Sequence, residues 1–112
     1  MCESVEELGK GCELQLAQYV AVDCSMVHTI HDEVPRKPVA LTAIAADVAS
    51  SLTKANIIPG DSVLVIGSDM HALVGIAFVR CLGADYICVV GQLADASVAQ
   101  ATACGASQFI EW

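Results

Sequence analysis

Positive charge is scarce in this 112-residue sequence: five Lys and Arg stand against thirteen Asp and Glu, a formal net charge of −8 with neutral histidines. That balance excludes nucleic acid and anionic membranes as partners, since nothing would neutralise backbone phosphates or lipid headgroups. Long apolar runs are missing as well. Although 55% of the residues are hydrophobic, polar or charged residues interrupt every candidate short of the roughly 18 residues of a membrane span. The apolar surplus is therefore expected inside protein. A basic, apolar leader is also lacking, because the chain opens on the acidic MCESVEELGKG, so the expected location is the cytoplasm. There the six cysteines are expected as reduced thiols rather than a disulfide scaffold. Three of them, Cys81, Cys88 and Cys104, fall inside apolar strand or helix patterns, where a thiol behaves as a small hydrophobe. The length suits one domain, or pieces of two.

What is present alternates between two periods. LQLAQYVAV and MVHTI, within residues 14–30, read as a short β segment with DCS as a turn between them. Pro35 and Pro38 interrupt any ladder, and Leu41, Ile44, Ala45, Val48 and Leu52 then recur at helical spacing, which predicts a linker helix over Val39–Ala55. SVLVI, residues 62–66, is an unbroken β-rich run of the kind that is covered on both faces, and is expected at the centre of a parallel sheet. Met70–Leu82 is apolar nearly all round, as in a helix wedged between layers, and Gly83 marks its stop. YICVVG predicts a second strand, Asp95–Cys104 an Ala-rich helix ended by Gly105, and SQFIEW a third strand. The fold class is α/β: a partial Rossmann unit, βαβαβ with three parallel strands, preceded by a short β segment and the linker helix.

The order of these pieces resembles the medium-chain, zinc-type alcohol and polyol dehydrogenases. ALTA, ANIIPGDSVLVIG, CLGAD and ACGASQFI are similar to that family's linker helix and first Rossmann half, which implies a nucleotide-binding segment over residues 38–112. CESVEELG and LAQYVAVDCSMVHTIHDEVP are similar to the stretch that leaves the zinc lobe, which implies that residues 1–37 are a remnant of the GroES-like catalytic domain. The resemblance places NAD at the turn after SVLVI, with Gly67, Ser68, Asp69, Met70 and His71 as its contacts and Gly91 at the end of the second strand.

The departures from the family pattern bear on function. Its G-x-G-x-x-G turn reads here Gly67, Ser68, Asp69, Met70, His71, Ala72, so the glycine that lets backbone amides approach the pyrophosphate is an aspartate. A carboxylate about 4 Å from a phosphate charge weakens binding on the order of a thousandfold. Asp69 is also a favoured N-cap residue, able to take up the donors a phosphate would use, and both readings oppose tight cofactor binding. His71 reads as a phosphate contact or as a rim residue. Gly91 stands where an acidic residue usually takes the ribose hydroxyls of NAD; Asp95 reads either as its substitute or as a charge stabilising a helix N-terminus. NADP is disfavoured, since no Lys or Arg follows Arg80.

Zinc is not expected either. Cys2 matches one cysteine of the family's structural zinc lobe, but the other three have no counterpart, and Ala43 and Ile44 replace the acidic residue of the family's ALTEP. His28 and His31, three apart on an extended segment, point to opposite faces. The carboxylate pairs Glu6 and Glu7, and Asp32 and Glu33, read as solvated turn charges, and no residue is assigned a catalytic role. The implied function is a truncated or degenerate dehydrogenase-like protein whose family reaction is NAD-dependent hydride transfer with an alcohol or polyol, with NAD binding weak or lost and no catalysis by this chain alone. Two alternatives stand beside it. One is a stand-alone weak nucleotide-binding module. The other is an interaction module that docks a second copy or a complementary subunit through an open sheet edge.

Overall fold

Val- and Ile-rich runs separated by longer helical ones become three parallel strands with helices between them. The computed structural model describes residues 18–92 and 95–112. Backbone contacts divide the chain after Asp32 into two compact units.

In the first unit the expected β segment does not form among the described residues, and Leu14–Ala17 lie outside them. The chain is extended at Asp23 and Val27, on either side of a 3-10 turn over Cys24–Met26. The Asp23 carboxylate builds that turn, accepting from the Ser25 amide at 2.8 Å and from its hydroxyl at 2.7 Å. Extended backbone becomes a strand only when a neighbour supplies ladder hydrogen bonds, and none does here among the described residues.

The second unit runs α1 (Arg36–Val39), α2 (Thr42–Ala55), β1 (Ser62–Ile66), α3 (Met70–Cys81), β2 (Tyr86–Val90), α4 (Asp95–Cys104) and β3 (Gln108–Ile110). The linker helix expected over Val39–Ala55 is α2, which starts only at Thr42; a single turn, α1, precedes it, with Ala40 and Leu41 between the two. Leu41 leaves helical geometry, its amide donating to the Pro38 carbonyl at 2.9 Å, and the Thr42 hydroxyl takes the Val39 carbonyl at 2.6 Å. α2 ends at Asn56 in the left-handed conformation, φ 51°, a role asparagine tolerates better than most residues.

The strands pair in the order β1-β2-β3, all parallel, with Ile66 beside Val90 and Val90 beside Ile110. The middle strand is therefore β2; β1, expected at the centre from its apolar run, is an edge. Two crossovers of the same hand between successive neighbours put α3 and α4 on one face of the sheet. There Ile87 and Val89 of β2 close a core with Ile76 and Val79 of α3, Ala84 and Ala101, to which Val63, Val65 and Phe109 add from the sheet and Leu52 from α2. Of the other set of strand side chains, Leu64, Ile66, Tyr86 and Ile110 are exposed, while Cys88 and Val90 of the middle strand are half-buried. Run length alone does not distinguish a strand covered on both faces from an apolar edge strand.

Candidate nucleotide site

Between Ile66 and the first residue of α3 the chain has three residues in which to reverse. Gly67 makes this possible with φ 137°, a value side-chain-bearing residues avoid. Its amide donates to the Val90 carbonyl at 2.8 Å, tying the turn to the end of β2. Gly91 is a glycine for a different reason. A Cβ there would lie 3.1 Å from the carbonyl carbon and oxygen of Gly67 and 3.3 Å from the Ser68 Cβ. Backbone fills the place where the resemblance sets an acidic residue, and any side chain at 91 has to push the turn away.

Asp69 is the N-cap of α3, its backbone extended and its Oδ1 accepting from the Ala72 amide at 3.0 Å. Its other oxygen lies 3.5 Å from Nδ1 of His71. The bond from the Ala72 amide, which favours the ionised carboxylate, holds the Asp69 pKa below its ordinary value, and the His71 imidazole acts in the same direction more weakly. The Leu73 amide is taken by the Asp69 carbonyl at 3.1 Å. Of the leading amides of α3, those of Met70 and His71 are the donors left for an anion. The Asp69 and His71 side chains are 70% and 54% exposed, and Met70 is 46% exposed, so this end of the helix faces solvent.

The structure thus gathers Gly67, Ser68 and Gly91 into one backbone contact and joins Asp69 to His71, while Met70 opens the helix without a partner role. Of Asp95, only its place as first residue of α4 is described. His28 and His31 are exposed; Cys2, Glu6 and Glu7 lie outside the described residues. Among the described residues no three His, Cys, Asp or Glu side chains converge as a metal site needs. Cys88 and Cys104 are half-buried, but Cys81 is exposed rather than packed away as its apolar helix suggested. It lines a groove of about 470 Å³ with Leu52, Asn56, Ile57, Phe78 and Leu82. This groove lies at the end of α3 opposite Gly67, so it is not part of the turn. No described helix is long and apolar enough to cross a membrane.

Three solved structures show the architecture to which the turn belongs. An alcohol dehydrogenase from a Thermus species matches with a TM-score of 0.54 at 29% identity, over 58% of this chain and 19% of that one. A putative zinc-binding dehydrogenase from Clostridium scindens matches at 0.65 and 26%, over 73% and 23%. Over the matched segment the chain carries part of the fold of the zinc-type medium-chain alcohol and polyol dehydrogenases. Galactitol-1-phosphate dehydrogenase from Escherichia coli shares that dehydrogenase fold with a TM-score of 0.72 at 22% identity, over 83% and 27%. The chain spans 19% to 27% of the length of these dehydrogenases. No protein-family model matches the sequence, and neither does any curated protein.

Proposed function

We propose that this chain is the first Rossmann half of a zinc-type dehydrogenase-like protein, keeping the shape of a dinucleotide turn without tight NAD binding and without catalysis of its own. The bond from the Ala72 amide to Asp69 Oδ1, 3.0 Å long, carries this reading. It takes up an amide that an anion at the helix N-terminus would use, and it sets a negative charge where the pyrophosphate would sit. The glycines at 67 and 91 support descent from a binding turn, since they preserve close backbone approach at the C-terminal ends of β1 and β2, where doubly wound sheets bind ligands. In the same reading residues 1–37 are what remains of a GroES-like domain, and the family reaction, NAD-dependent hydride transfer with an alcohol or polyol, belongs to the whole enzyme.

Titration with NADH at matched salt tests the turn. Wild type is expected to bind weakly or not at all, and Asp69→Gly to bind about 10- to 100-fold more tightly, somewhat less than bare Coulomb repulsion gives because solvent screens an exposed turn. Low-micromolar binding by wild type, or no gain in the variant, defeats this account. A second reading, favoured by the edge position of β1, is that its unpaired side recruits a second copy or a complementary subunit. Light scattering across a concentration series reads this out as a rise in mass.

A further inference from the structure

His71 is the second residue of α3, and its Nδ1 lies 3.5 Å from Oδ2 of Asp69, the carboxylate oxygen that the Ala72 amide leaves free. Both side chains are more than half exposed, and an exposed ion pair contributes little to stability. Its effect falls instead on what approaches the turn. The elements packed against α3 bring few other charges: α2 carries Asp47 and Lys54, β2 Tyr86 and Cys88, α4 Asp95 and Cys104, and β1 none. Among the described side chains only Asp69 pairs with the imidazole. Arg80, nine residues further along α3, is about 14 Å away by helix rise.

We propose that His71 makes dinucleotide binding at this turn pH-dependent: protonation of its imidazole cancels the Asp69 charge and admits the diphosphate to the free Met70 and His71 amides. This role for His71 rests on the reading of the turn as a nucleotide site and adds what governs that site. With a neutral imidazole the pair carries one negative charge, which repels a diphosphate. With an imidazolium the pair is neutral, and the partial positive charge of the helix N-terminus is left to act on the ligand. Histidine is the side chain that changes charge between about pH 5 and 8. Asp69 stays ionised throughout that range, since the Ala72 amide holds its pKa below the ordinary 3.8. Solvent and salt screen the exposed pair, so the change in affinity is about three- to tenfold rather than the full Coulomb value.

The test titrates the full chain with NAD+, whose diphosphate keeps its charge over this range, at fixed ionic strength and at about pH 5.5 and pH 8. Ligand is carried into the millimolar range, and the Met70 and His71 amides are followed by NMR. Wild type is expected to bind about three- to tenfold more tightly at the lower pH. His71→Gln is expected to bind weakly and equally at both, whereas His28→Gln, which alters a histidine of the first unit, keeps the wild-type response. Asp69→Gly separates this role from the reading beneath it. If that variant gains affinity while wild type shows no pH response, or shows one that His71→Gln retains, the turn stands as a nucleotide site and the role of His71 is overturned. If NAD+ moves these amides in neither wild type nor Asp69→Gly at either pH, the turn reading fails and the role of His71 fails with it.

Discussion

On the face of the sheet that meets α3, Ile87 and Val89 are 0% and 1% exposed; on the reverse face Leu64 and Ile66 are 57% and 64% exposed, although all four come from runs of the same composition. The difference lies in what the neighbouring elements supply. Alternation along a strand sends successive side chains to opposite sides, and helices that follow β1 and β2 with one handedness cover a single side. A parallel sheet is ordinarily closed on both faces. Here the same kinds of apolar residue close a core on one side and lie open on the other.

Substitutions that exchange the roles of the two faces test this contrast most directly. The largest effect is expected at Ile87→Ala, which opens a cavity in the closed core and costs about 2 to 5 kcal/mol in urea unfolding. Gly91→Ala comes next. Its methyl meets the Gly67 backbone at 3.1 Å, and overpacking of that kind costs about 1 to 3 kcal/mol in the same measurement.

A smaller loss is expected from Asp69→Ala, which removes the cap of α3 and lowers the Tm by about 5 °C at neutral pH. This loss depends on pH in a definite direction. The folded carboxyl has a pKa below its ordinary 3.8 because the Ala72 amide favours the anion, so the unfolded chain holds that proton more firmly. The cap therefore contributes fully above about pH 4 to 5 and fades as pH falls through the folded value. Melts of wild type and variant are expected to converge once pH has fallen below the folded value. The smallest effect belongs to Ile66→Thr on the open face, expected within about 0.5 kcal/mol of wild type. If Ile66→Thr destabilises as much as Ile87→Ala, the two faces are not different in kind.

The elements were largely legible because their signals are local. SVLVI and YICVV are β-branched runs bounded by turns, and α3 is bracketed by Asp69 as a cap and by Gly83, whose amide donates to the Arg80 carbonyl at 3.0 Å. The Asp69 cap was readable from residue type and position. Features that depend on neighbours distant in sequence were not. That β1 is an edge depends on which strands pair with it, and the failure of the segment around Tyr19 and Val20 to form a strand depends on the absence of a ladder partner among the described residues. The break at Leu41 depends on a bond back to Pro38 that helical periodicity does not register. The reason for glycine at 91 is a backbone 24 positions earlier, and nothing local to Gly91 announces it.

The turn also has a consequence on the timescale of hours. The Gly67 amide donates to Val90 at 2.8 Å, and the Gly91 amide, one position further on, donates to Ile110 at 3.1 Å, so two bonds in series cross all three strands at one end of the sheet. Neither amide can meet solvent deuterium while the other strand ends stay in register, because Gly91 is wedged against Gly67. Their exchange is therefore expected to follow opening of the sheet as a unit and to report the global unfolding free energy, whereas the amides of Met70 and His71, three and four residues beyond Gly67, are expected to exchange through fraying of a single helix turn. A protection pattern that jumps between adjacent segments is the signature of a rigid clasp carrying a loose helix end.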